Sequence, residues 1–174
     1  MRDLSYLPKA LATAALATTA LAMAAPLAQA QTTATDTFQV RLAIQGACQI
    51  SSMTDIDFGS QLAAATTYTA NGAIQVQCTN GLPFTLGLDG GTVTGDVNNR
   101  AMASGAGTHI PYALRHDSPT GPNWGNDGSS WATGTGAGIG PSYAINFTVY
   151  GQATVSGTEP AGQYLDTVTA TITY

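Results

Sequence analysis

Thr37-Phe38-Gln39-Val40-Arg41-Leu42-Ala43-Ile44-Gln45 carries a large apolar side chain at every second position, at 38, 40, 42 and 44. Gln39, Arg41 and Gln45 take most of the alternate places. In an extended backbone this period of two gathers Phe38, Val40, Leu42 and Ile44 on one face. The fold turns on which core receives that face. If the core is the chain's own, the stretch is an ordinary first strand. If it belongs to a neighbouring molecule, the chain's own sandwich is one strand short.

The sequence beyond this stretch repeats the pattern in short runs. Gly46-Ala47 lets the chain turn into Cys48-Gln49-Ile50, and Asp55-Ile56-Asp57-Phe58-Gly59 follows with Ile56 and Phe58 inward. Ile74, Val76 and Cys78 share a face in Ala73–Cys78, as do Phe84, Leu86 and Leu88 in Pro83–Leu88. His109–His116 aligns Ile110, Tyr112 and Leu114, and Tyr143–Tyr150 aligns Ile145, Phe147 and Val149. In the last run, Tyr164–Tyr174, Val168, Ala170, Ile172 and Tyr174 alternate with threonines. Asn71-Gly72, Asp89-Gly90-Gly91 and Pro160-Ala161-Gly162 read as turns. Asn98–Ala103 is expected as a short edge strand, and Pro111, which lacks a donor, suits an edge or a strand start. No helical period follows residue 30. Short strands at turn-separated intervals predict an all-β antiparallel sandwich.

Composition narrows the class. Arg2 and Lys9 flank the short n-region, Ala10–Ala25 is apolar, and Ala28-Gln29-Ala30 is a small-x-small cleavage pattern. Residues 1–30 therefore read as an export signal, with the apolar run short for a spanning helix. The remaining 144 residues suit a single domain with a substantial core. Only Arg41, Arg100 and Arg115 are basic beyond residue 30, against nine acidic residues, a net of 3 − 9 = −6. An acidic surface without a basic cluster argues against nucleic acid and anionic lipid as partners.

Cys48 and Cys78 in an exported chain read as a disulfide, bridging a sandwich core with Cys78 inward. Their spacing lacks the nearby histidine of a zinc site, and they are not a Cys-x-x-Cys redox pair. His109 and His116 are the only histidines, and neither stands in a carboxylate–histidine–hydroxyl order, so no catalytic residue is assigned. The aspartates of Asp89-Gly90-Gly91 and Asp96-Val97-Asn98-Asn99 do not match a calcium loop and read as turn chemistry; no metal and no cofactor is assigned. Asn146-Phe147-Thr148 fits a glycosylation acceptor, but it lies mid-strand. The segment 117–140 is rich in glycine and carries Trp124 and Trp131; it is expected to be irregular throughout. Either its tryptophans pack down on the sandwich or they form an exposed recognition loop.

The strand pattern runs to Tyr174, with no residues after it to cover the last strand's open edge. An unpaired apolar-faced edge is an aggregation hazard unless something covers it. The feature left over is the alternating stretch at the other end.

The Cys48 and Cys78 spacing, Asp57-Phe58-Gly59, and the finish Gly162-Gln163-Tyr164-Leu165-Asp166-Thr167-Val168-Thr169 onward to Tyr174 resemble the spore coat protein U domain family. That family includes the Csu-type, archaic chaperone–usher pilus subunits. The resemblance implies an incomplete immunoglobulin-like sandwich, residues 46–174, completed by a donor strand. It implies that residues 31–45 are the donor segment, with Phe38, Val40, Leu42 and Ile44 as its plugs. Val168, Ala170, Ile172 and Tyr174 would border the acceptor groove and engage a periplasmic chaperone, until an outer-membrane usher exchanges it for the next subunit. The product would be a homo-polymer of pilus subunits, exported through the periplasm and displayed as a cell-surface fimbrium for adhesion and biofilm formation. Four such side chains at about 1.5–3 kcal/mol each supply roughly 6–12 kcal/mol gross. Two alternatives stay open at this point: a coat or matrix protein that self-associates on the surface, and a monomeric binding module using residues 117–140.

Overall fold

Alternating segments become strands where a second layer covers their apolar face. The computed structural model describes residues 31–174, so the export signal expected over residues 1–30 lies outside the described residues. The chain divides into two units, Met1–Arg41 and Leu42–Tyr174. Residues 31–41 form neither helix nor strand and are exposed.

The second unit holds nine strands: β1 (Cys48–Thr54), β2 (Thr66–Cys78), β3 (Pro83–Leu88), β4 (Ala101–Ser104), β5 (His109–Arg115), β6 (Ala132–Thr135), β7 (Ile145–Val155), β8 (Tyr164–Leu165) and β9 (Ala170–Thr173). One helical turn, α1 (Gly91–Thr94), and one 3₁₀ turn, Pro141–Tyr143, complete it. The strands form a six-stranded sheet in the order β1-β2-β7-β5-β4-β8 and a three-stranded sheet in the order β6-β3-β9. All named pairings are antiparallel. This is the all-β sandwich that the alternation predicts.

The core forms where β2 and β7 of the larger sheet face β3 of the smaller. Ile74, Val76, Cys78, Phe84, Leu86, Leu88, Leu114 and Val149 are buried there. Phe84 meets Phe147 edge-on with ring centroids 6.0 Å apart. A smaller cluster of Ile110, Ala153 and Val155 extends the packing, and Phe58 leans against it. Ile56 and Phe58 thus turn inward as expected, although their segment lacks a ladder of its own.

Several expectations are corrected. Asn71-Gly72 is not a turn: β2 runs through it for thirteen residues. Glycine stands there because β1 crosses close, and a Cβ on Gly72 would lie 2.8 Å from the Thr54 carbonyl and 2.9 Å from Ile56. The segment 117–140 is not wholly irregular, since it contributes β6 to the smaller sheet. β4 is not an edge strand, because β8 pairs on its far side. Pro111 lies in β5, between two neighbours, but just before the β7 pairing begins at Tyr112. The final run is two strands, with Asp166–Thr169 between them. The disulfide joins Cys48 to Cys78, but these residues face each other in the β1–β2 ladder. It therefore staples neighbouring strands of one sheet rather than bridging the two.

Candidate functional site

Among the described residues, the larger sheet ends at β1, which pairs with β2 alone, and the smaller sheet ends at β9, which pairs with β3 alone. β1 and β9 approach each other but share no ladder. Cys48, Ile50 and Ile56 reach the core from one side of this seam. Val168, Ala170 and Ile172 reach it from the other. All six remain only partly buried. Core atoms therefore run out to an edge that no strand among the described residues closes.

Both banks of the seam are fixed in place. The disulfide holds the start of β1, and Thr79 adds a reciprocal pair, its N–H donating to the Ala47 carbonyl at 2.9 Å and its Oγ1 accepting from the Ala47 N–H at 3.0 Å. The other bank is held by Asp166. Its Oδ1 accepts from the N–H groups of Thr92, Val93 and Thr167 at 2.8, 3.1 and 2.8 Å and from the Thr92 hydroxyl at 2.9 Å. Its Oδ2 accepts from the Tyr112 hydroxyl at 2.6 Å. Burial pushes this carboxyl's pKa up, but the bonds from Tyr112, Thr92, Thr167 and Val93 outweigh it and hold it below the usual carboxylate range. Burial and the same aspartate push the Tyr112 phenol well above its ordinary value.

Asp89 repeats the device one step on, its Oδ1 accepting from the N–H of Thr169 at 2.9 Å and of Gly91 at 3.0 Å. Gly91 has φ +78°, and a Cβ there would collide with the Asp166 carboxylate. The chain passes through Asp166–Thr169 in this pinned, non-strand form, and Val168 is delivered to the seam.

Phe38, Val40, Leu42 and Ile44 are 88, 86, 85 and 75 % exposed, and the first strand begins only at Cys48. A model of the Spore Coat Protein U domain matches residues 34–171, from three residues before the alternating stretch into β9. The chain belongs to the spore coat protein U domain family.

Among solved structures, this spore coat U chain is similar to one in the complex of the chaperone CsuC with the tip adhesion subunit CsuE, from archaic chaperone–usher Csu pili of Acinetobacter baumannii. The identity is 28 % and the TM-score 0.54, over 75 % of this chain and 40 % of that one. A second structure, a chaperone–tip adhesin complex of CFA/I fimbriae, matches at 14 % identity and TM-score 0.47, over 74 % of this chain and 41 % of that one. The chain thus spans about 40 % of the length of each matched chain. No curated protein matches the sequence. The spore coat U sandwich is immunoglobulin-like, as the resemblance implied.

The other residues singled out in the sequence fall elsewhere. Tyr174 does not share the seam's partly buried row; it is exposed and faces a groove beside Trp131 on the smaller sheet. Trp124 is fully buried and donates its indole N–H to the Leu86 carbonyl at 2.8 Å. Wedged against His116 and Phe147, it packs the core and presents nothing to a ligand. Trp131 stays half-buried at the surface.

Arg100, placed in an edge strand by its sequence, is fully buried instead. It donates to the carbonyls of Leu88, Asp89 and Trp124 at 3.0, 2.9 and 2.8 Å. Burial lowers its pKa against the opposing pull of Tyr112, Asp89 and Asp166. The Asp166 hub and this arginine were not assigned from sequence. For Asp166 the signal was a lone charge in an apolar and threonine-rich run; Arg100 follows two asparagines and carried none.

Proposed function

We propose that the chain is a structural pilus subunit that polymerises by strand donation. Phe38, Val40, Leu42 and Ile44 of one copy enter the seam between β1 and β9 of the next. The observation that carries this reading is the presence in one chain of an uncovered apolar ridge and an unclosed apolar seam. An extended segment laid along β9 gains main-chain hydrogen bonds by β-augmentation and places alternate side chains inward. The four plugs supply roughly 6–12 kcal/mol of gross burial. Each copy donates and accepts through different surfaces, so the contact runs head to tail and builds an open filament.

Before assembly, the same seam is the surface a periplasmic chaperone covers, with Val168, Ala170 and Ile172 as its contacts. An outer-membrane usher then exchanges the two. The likeness to a chain of the CsuC–CsuE complex supports such a partner. The filament is displayed as a surface fimbrium that serves adhesion and biofilm formation.

The test is deletion of residues 32–45 in the exported protein, co-expressed with its chaperone. The expected result is loss of detergent-resistant multimers on unheated gels, with the disulfide-bonded sandwich still recovered bound to the chaperone. Multimers that persist after the deletion overturn strand donation. Multimers formed without any usher favour a self-associating coat protein instead.

A further inference from the structure

A groove of about 600 Å³ lies on the outer face of the smaller sheet. It is walled by Trp131 and Tyr174 and floored by Thr85, Thr133, Thr135 and Thr173. The floor is set by strand register. Thr85 of β3 stands opposite Thr133 of β6 and opposite Thr173 of β9. At about 4.8 Å per strand, the three threonines form a row roughly 10 Å long.

We propose that this groove binds an uncharged oligosaccharide. A pyranose ring presents an apolar C–H face and a rim of hydroxyls, and the groove offers the complement of both. The indole and phenol rings supply flat, rigid, amphipathic surface of the kind that recognition sites favour. Thr133, Thr135 and Thr173 are exposed and supply hydroxyls that can donate or accept. No charged side chain lines the groove.

The polar groups here are also unspent. Thr85 Oγ1 is buried without a partner, a condition that native proteins rarely leave unexplained. Among the described residues, no hydrogen bond engages the Trp131 indole N–H. The other tryptophan differs, since the Trp124 N–H is committed to Leu86. One tryptophan therefore builds the core, and the other is left with its ring and its donor available. This inference does not depend on strand donation.

The experiment uses protein expressed from the full sequence and purified after export, titrated with cellohexaose, maltohexaose and chitohexaose. Tryptophan emission and calorimetry report binding. At least one of the three is expected to saturate the protein with a shift in emission. Trp131→Ala should abolish that shift and weaken binding at least about tenfold. Thr133→Val, which keeps the shape and removes an exposed hydroxyl of the groove, should weaken it by several fold while leaving the melting temperature within a few degrees. Failure of all three sugars to bind overturns the proposal. So does full affinity in Trp131→Ala, or a photo-crosslinker at position 131 that captures another copy of the chain and is not displaced by the sugars.

Discussion

Asp166 shows how one side chain decides the form of a strand. The alternation from Tyr164 to Tyr174 would satisfy a single long strand, yet five donors converge on this carboxylate and the backbone leaves the ladder to bring them there. Hydrogen bonds to a charged acceptor are stronger than neutral ones. Asp166→Asn, which keeps the size but loses the charge, is expected to destabilise the sandwich by about 1.5–3 kcal/mol in urea titrations at neutral pH. The sign of the pH effect follows from the depressed pKa. An unfolded aspartate titrates near about 3.9, so between that value and the lower folded one the unfolded chain binds more protons. The stabilisation is complete above the unfolded value and is lost as pH falls through the folded one. Repeating the titrations down to about pH 3 should show a steeper acid loss for the natural chain than for Asp166→Asn. Asp89 has its pKa shifted the same way, by the N–H groups of Thr169 and Gly91 against burial, and will preserve part of the slope in the variant.

Among the elements, most of the strands were legible and their neighbours were not. Phe84, Leu86 and Leu88 mark β3 because both sheets of a sandwich impose the same period of two on inward residues. Ile145, Phe147 and Val149 mark β7 for the same reason. What the local pattern lacks is the approach of distant chain. Gly72 sits inside β2 because Thr54 and Ile56 pass over it, and a sequence window around Asn71-Gly72 contains neither. The disulfide was legible as a bond but not as a same-sheet staple, because register is set by the whole ladder. That staple closes a loop with a sequence separation of 30 residues. Replacing both Cys48 and Cys78 with serine should lower the unfolding free energy by about 3–4 kcal/mol, read as a lower urea midpoint. It should also increase hydrogen exchange along β1, which has no second neighbour among the described strands.

For the whole molecule, the seam between β1 and β9 and the exposed alternating stretch are separate features of one chain, and only their combination points to assembly. Half of this was legible. Alternation showed the ridge, but an unfilled seam exists only once two sheets are placed. Leu42→Asp provides a test at this scale. Leu42 is exposed, so the substitution should change the stability of the isolated sandwich by less than about 0.5 kcal/mol. In a donated strand the same carboxylate would be buried without a partner, which is costly enough to abolish multimers on unheated gels.

The position of the disulfide has a mechanical consequence. Cys48 is the first residue of β1, immediately after the extended segment, and its bond leads directly to Cys78 at the end of β2. Tension arriving along the segment is handed to β2, which has β1 on one side and β7 on the other, before it can peel β1 from its edge. A sheet loaded through an interior strand must shear two ladders at once, whereas one loaded at its edge unzips bond by bond. The covalent link thus carries a pull on the chain before Cys48 into an interior strand before β1 can leave its edge.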